Sequence, residues 1–308
     1  TELDLFVREQ DGSYGYEAID CFDMEANIPG IEVSLGRACV LKMTSQRWRG
    51  PEDIYNDEHV EWWHYLTIFE PEYLRTQTAL LLVTGGSRNS SAPTAEDLEE
   101  FDLATLGAAS GSVVAMLEHV PNEPIVFADE VTQDGEVLRS RSEDAIIAYT
   151  YDKYMESHLA GDPDPSWPLL FPMAKSAVRA MDTVQDFLKE NTGTVVEDFV
   201  VTGASKRGWT TWLTGITDCR VRAIAPIVID VLNMDEHLEH HKSVFGYWAP
   251  ALYPYVQMKV FERLTPDGSG QLQPEAQALL ELVDPYEYRD RVADMPKFIM
   301  NSTGDQFF

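Results

Sequence analysis

VVEDFVVTGASKRG, residues Val195–Gly208, is the stretch whose reading decides the fold. Its first half is a β-branched, apolar run of the kind that fills a buried strand. A helix-like segment through Thr210–Ile216 follows almost at once. Ser205 therefore falls on a tight strand-to-helix turn, a nucleophile elbow, which lifts a serine hydroxyl above the edge of a sheet. Gly203 lets the strand approach that turn closely and Ala204 is small, but the second glycine, Gly208, comes one position later than in G-x-S-x-G. Arg207 stands in its place, which implies extra room or a side chain directed elsewhere. The bland alternative is a serine that merely caps the helix. The FVVTG run ahead of it favours the elbow.

Working outward, Val40–Thr44 and Trp62–Phe69 read as strands in a mostly extended region over residues 1–70. Thr78–Val83 (TALLLV) and Ser112–Leu117 read as central strands, and Arg222–Asp230 (RAIAPIVID) as the one after the elbow. Lys297–Asn301 (KFIMN) reads as a final strand. Helices are expected over Thr94–Leu106, with Thr94 and Asp97 as a capping pair, and over Asp144–Met155. Another is expected from Ala174 to Leu188, where apolar residues fall at three- and four-residue steps up to a stop at Gly193. Apolar strands alternating with helices mean a parallel sheet covered on both faces. The expectation is one α/β-hydrolase-like domain over residues 1–308, its central sheet mostly parallel. Residues 231–290, helical and aromatic without strand alternation, would form a cap or lid, and the last part of the fold is expected to lie outside this chain.

The 308 residues carry 23 basic and 52 acidic side chains, a formal charge of −29. Such a surface argues against nucleic acid and anionic membranes as partners. No apolar run approaches the roughly 20 residues that span a bilayer. Cys21, Cys39 and Cys219 are too few and too spread for a disulfide framework or a zinc site. Cys21 and Cys39 are free to pair in an oxidising compartment; Cys219, just before an apolar strand, is expected to be buried.

A serine nucleophile needs a base, an acid that orients the base, and amides that hold the oxyanion. The Lys206 N–H is one expected oxyanion donor, with a second from Gly86 or Ser87 in the Thr84-Gly85-Gly86 turn after TALLLV. Asp305, four residues past KFIMN, is the favoured acid, and Asp230 is the alternative. No histidine follows Asp305, so the base is expected beyond Phe308. His237, His240 and His241, in HLEHH, lack the H-E-x-x-H order and read as a solvated helix face. His64 and His119 read as structural. Trp62, Trp63, Trp209, Trp212 and Trp248 can line a pocket, although core packing is the commoner role. No organic cofactor or metal is called for.

Several segments together resemble the PhoPQ-activated pathogenicity-related protein family: EWWHYLTIFEP at 61–71, TGGS at 84–87, HVPNEPIVF at 119–127, WPLLFPMAKSAVRAMD at 167–182, VTGASKRGWTTWLT at 201–214 and TGDQFF at 303–308. The resemblance implies an α/β-hydrolase-like fold, Ser205 as nucleophile, Asp305 as acid, and a histidine in a later segment. Its members that act outside the cytoplasm imply a secreted or periplasmic protein. More distantly, GASKRG is similar to the G-C-S-R-x-G elbow of glucuronoyl esterases, which implies a part for Lys206 in holding the oxyanion. The expected function is a serine hydrolase acting on an ester or amide, small-molecule or peptide. A hydrolase-fold signalling or host-interaction factor that acts by binding is the competing expectation.

Overall fold

The Asp198–Ala204 segment does form a strand, and it lies inside a seven-stranded sheet. The computed structural model describes residues 1–28, 31–55, 57–100, 102–266, 270–305 and 307. In chain order the elements are α1 (Glu2–Arg8), β1 (Gly15–Ile28), β2 (Ile31–Arg47), α2 (Asp57–Val60), β3 (Glu61–Pro71) and β4 (Thr78–Val83). Then come α3 (Ala95–Glu100), α4 (Leu103–Ser110), β5 (Val114–Leu117), α5 (Asp144–Leu159), α6 (Leu170–Asn191), β6 (Asp198–Ala204), α7 (Lys206–Thr217) and β7 (Val221–Ile227). The rest is helical: α8 (Met234–Phe245), α9 (Tyr253–Gln257), α10 (Val260–Leu264), α11 (Pro274–Val283) and α12 (Arg289–Val292).

The strand order is β1-β2-β3-β5-β4-β6-β7. β5, β4, β6 and β7 run parallel, whereas β1, β2 and β3 add an antiparallel wing that pairs onto β5. The sheet is thus mixed, and its parallel half carries the elbow. Parallel strands need cover on both faces. α6 and α7 supply it on one side, while Leu103 of α4 packs with Leu80 and Leu82 of β4 on the other.

α6 is the long amphipathic helix read from the sequence, and Gly193 beyond it takes a left-handed φ of 78° with its N–H on Leu188 O. A buried polar network ties α6 to the wing. Ser45 Oγ lies 2.9 Å from His64 Nε2 and 3.1 Å from Ser176 Oγ, and Gln46 Nε2 donates to Pro172 O at 2.7 Å. His64 is structural, and burial pushes its imidazole down to about 3.

Several expectations need correction. Residues 94–106 form two helices, because Asp102 turns into the left-handed region at φ 52°; the Thr94–Asp97 cap is present, with Thr94 Oγ1 donating to Asp97 Oδ2 at 2.6 Å. The strand after the elbow stops at Ile227, since Val228 has φ 45°. Lys297–Asn301 runs parallel beside β7, with bridges from Ile224 to Lys297 and Ile227 to Met300 and four backbone hydrogen bonds between 296–300 and 224–228, but it forms no continuous strand and leaves Phe298 and Ile299 exposed. α1 interrupts the extended N-terminal region, capped by Thr1 and Asp4. Cys219 is exposed and unpaired, because the turn ahead of β7 carries it outward and burial begins only at Val221. Cys21 and Cys39 face each other across β1 and β2 and form a disulfide. Among the described residues no helix is long and apolar enough to cross a membrane.

Candidate functional site

β6 ends at Ala204 and α7 begins at Lys206, so the whole change of direction falls on Ser205. Its backbone sits at φ 57°, ψ −128°, a conformation that costs a residue with a Cβ about 1–3 kcal/mol. The turn is held from outside: the Ser205 N–H donates to Ile227 O at 2.8 Å, and Ser205 O accepts from the N–H groups of Gly208 and Trp209. The two glycines permit the crossing. A Cβ on Gly203 would lie 2.7 Å from Arg207 O, and one on Gly208 2.5 Å from Ile229 Cγ2 and 3.0 Å from Gly203 O. The Ser205 side chain makes no capping bond to the helix. The elbow, not the cap, is the observed geometry.

Ser205 lines a narrow, partly open cavity. Lys206 and Trp209 form its floor with Ile147 and Tyr151 of α5, and Met234, His237, Leu238 and His241 of α8 form the facing wall. Of the five tryptophans considered, only Trp209 belongs to this wall; Trp62 and Trp212 are core residues.

Electrostatics beneath the elbow comes from a loop that the sequence did not single out. Glu143 takes a bidentate pair from Arg207, at 2.9 and 2.6 Å, and also meets Lys206 Nζ at 2.5 Å. Lys206 Nζ reaches Asp144 Oδ2 at 2.9 Å as well. Arg207 is thus directed away from the cavity and under the β4 turn, where a Cβ on Gly85 would lie 2.6 Å from its guanidinium. Glu143, at φ 55°, donates its N–H to Glu123 Oε2 at 2.6 Å. Burial alone would raise the Glu143 carboxyl, but the hydrogen bonds and charges of Arg207 and Lys206 outweigh it and hold the group well below the usual range. Burial, with the Glu143 charge beside it, pushes Glu123 the other way.

The expected site residues divide into two groups. Val83 lies opposite Gly203 in the β4–β6 register, so the Gly85-Gly86 turn emerges beside the elbow. Gly86 needs its missing side chain: φ is 122°, and a Cβ would come 2.8 Å from His119 Cδ2. Ser87 bridges to Glu123, and neither Gly86 nor Ser87 belongs to the cavity wall. The Lys206 N–H, the first amide of α7, has no acceptor among the described residues. On the other side of the cavity, His237 Nε2 lies 3.1 Å from Asp230 Oδ1, and that hydrogen bond raises the imidazole's pKa. His237 also borders a second depression, shared with Asp230, His240 and Asp305. Asp305 accepts from the Phe307 N–H at 2.8 Å and pairs with no histidine among the described residues.

HLEHH is not a uniformly solvated face. His240 is exposed, whereas His237 is half-buried and His241 is buried, because Met234, Leu238 and His241 at steps of four and three point inward. His119 is buried between Trp63 and Tyr65, and burial, then Arg88, pushes its imidazole down to about 4. Among the described residues, no cluster of three or more His, Cys, Asp or Glu is placed to hold a metal. The residues that sequence reading missed are Glu123, Glu143, Asp144, Tyr151 and Tyr255. Of these only Asp144 carried a local signal, as the start of a helix.

The chain matches the family model described as PhoPQ-activated pathogenicity-related protein over residues 22–308. It is 34% identical, over its whole length, to autocrine proliferation repressor protein A of Dictyostelium discoideum, and it spans about half (55%) of that relative's length. In structure it is similar to an acetyl xylan esterase from Paenibacillus sp. R4, with a TM-score of 0.51, 11% identity and coverage of 100% of this chain and 87% of that one. Acetyl xylan esterase 1 from Thermoanaerobacterium sp. JW/SL YS485 gives the same TM-score at 14% identity, covering 97% and 84%. At these identities the likeness establishes the fold, which is α/β-hydrolase-like.

Proposed function

Because the chain belongs to the PhoPQ-activated pathogenicity-related protein family, and because Ser205, held in a strained backbone conformation, lines a cavity, we propose that it carries the nucleophile of a serine hydrolase that cleaves an ester or amide. The observation that supports this most is the Ser205 turn, held at φ 57° with the hydroxyl uncommitted to capping and on the cavity wall. In this reading Ser205 Oγ attacks the substrate carbonyl and gives its proton to an imidazole. The oxyanion then takes hydrogen bonds from the Lys206 N–H and from the Gly86 or Ser87 N–H. The leaving alcohol or amine departs with the imidazole's proton, and water completes the second half by the same route. Asp305 orients the imidazole, which belongs to a histidine outside residues 1–308. Residues 231–290 act as the cap that walls the cavity.

A base within this chain is the second reading, favoured by His237, which lines the same cavity as Ser205 and lies 3.1 Å from Asp230 in the neighbouring depression. A third, action by binding as a secreted signal, is favoured by the name of the Dictyostelium relative. The disulfide supports an exported protein, since such bonds persist in oxidising compartments. Hydrolysis of p-nitrophenyl acetate by the whole protein that carries this sequence separates the readings. Activity lost in Ser205→Ala and Asp305→Asn but kept in His237→Ala supports the first. Loss in His237→Ala and Asp230→Asn with Asp305→Asn active moves the base to His237. Absence of Ser205-dependent turnover across short acyl esters and amides leaves the binding reading.

A further inference from the structure

The Arg207 guanidinium is committed to the protein and does not join the cavity wall. Its Nε donates to Val120 O, and its two terminal nitrogens donate to the Glu143 carboxylate at 2.9 and 2.6 Å. Each of these anchors continues into the turn that follows β4. Val120 donates its N–H to Thr84 O at 3.2 Å, and His119 beside it donates to Gly85 O at 2.9 Å. Glu143 donates its N–H to Glu123 Oε2 at 2.6 Å, while Glu123 bridges to Ser87 and its carbonyl accepts the Arg88 N–H at 2.9 Å. Both ends of the 84–88 segment are thus tied, by separate routes, to one side chain two residues past Ser205. A plain ion pair with Glu143 would need neither the Val120 contact nor a glycine at 85. Gly85, unlike Gly86, takes no left-handed φ, so its backbone gives no reason for glycine. The reason is the guanidinium, which a Cβ there would meet at 2.6 Å.

We propose that Arg207 is a positioning residue that sets the separation between the Ser205 hydroxyl and the oxyanion donor on the Gly86–Ser87 turn. The proposal rests on the hydrolase reading and on the oxyanion donors assigned within it. Nucleophile and donor follow different strands, β6 and β4, whose pairing ends at Val83 and Gly203, before either group is reached. Arg207 spans that gap through Val120 and Glu143. The span matters because an oxyanion donor acts only within about 2.7–3.1 Å of the charged oxygen. A misplacement of about 1 Å can cost about 100-fold in rate. The side chain is 11% exposed and off the cavity wall, so it acts through the turn and touches no substrate.

The test measures kcat and KM for p-nitrophenyl acetate, with urea midpoints, on the whole protein that carries this sequence and on its Arg207→Ala, Gly85→Ala and double variants. Arg207→Ala is expected to lower kcat about 100-fold, the worth of one oxyanion donor, with KM within about 2-fold of wild type. Gly85→Ala pushes on the guanidinium from the other side and should also lower kcat, at a near wild-type urea midpoint. It carries the test if Arg207→Ala does not fold. The double variant should be no slower than Arg207→Ala, because the new methyl then has no guanidinium to displace. Arg207→Lys keeps the charge but not the planar fork, and should recover less than about 10-fold of the lost rate. An unchanged kcat in folded Arg207→Ala or in Gly85→Ala, losses that multiply in the double variant, or a loss carried by KM would overturn this inference alone, provided the wild type shows Ser205-dependent turnover. A wild type without such turnover removes the hydrolase reading, and this inference with it.

Discussion

Ser205→Gly should make the protein more stable than Ser205→Ala does, and by a margin the backbone sets. Both variants lose the hydroxyl, which makes no capping bond, so that loss cancels between them. They differ in the Cβ. At φ 57°, ψ −128° a Cβ costs about 1–3 kcal/mol, and glycine releases it. Glycine also loosens the unfolded chain, which takes back about 0.4–1 kcal/mol. The difference is a net gain of about 1 kcal/mol for glycine over alanine. Urea unfolding of the two variants reads it as a shift in midpoint at constant m value. The hydrogen bond from residue 205 N–H to Ile227 O is available to both, so it does not enter. A glycine variant equal to or less stable than the alanine variant would refute the claim that strain is stored at the elbow.

Gly208→Ala should cost about 2–3 kcal/mol in the same assay, because the new Cβ meets Ile229 Cγ2 and two backbone oxygens; Gly15→Ala, with nothing within 4 Å, should be near neutral. Glu143→Gln should cost about 2 kcal/mol at neutral pH by stripping Arg207 and Lys206 of their shared carboxylate. It should also flatten acid sensitivity: a carboxyl lowered to about 2 on folding adds stability that is complete above its unfolded pKa, about 4.3, and is lost as pH falls toward the folded value. Wild type should therefore lose more stability than the variant between about pH 4.5 and 2, and parallel pH curves would contradict the pairing. Replacing Cys21 and Cys39 by serine should lower stability by about 3 kcal/mol, the closure entropy of an 18-residue loop, with midpoints in oxidised and reduced buffer as the check.

The elbow was legible because three local signals coincide there: a β-branched run, glycines at 203 and 208, and a helix with no linker. α6 was legible for a similar reason, since its apolar spacing and the Gly193 stop are both local. Glu143 was not, because it meets Arg207 across 64 residues of chain and two exposed-looking charges carry no periodicity. HLEHH shows a signal that was present and outweighed. Met234, Leu238 and His241 already sit at helical steps, and the polar look of three histidines masked the buried one. KFIMN was read as a full strand, and it does lie along β7 with backbone bonds from 296 to 300, but its pairing is broken into two bridges and its apolar side chains stay exposed. Asp230 and His237 meet only because the chain turns at Val228 before α8 begins, a left-handed residue that valine gives no reason to expect.

The most direct measurement is fluorophosphonate labelling of the whole protein that carries this sequence, read by intact mass with Ser205→Ala as the control. Stoichiometric labelling that disappears in the alanine variant is the result predicted for an activated serine on this elbow. A folded protein that takes up no label would contradict the account and leave the Ser205 turn as a feature of the fold alone.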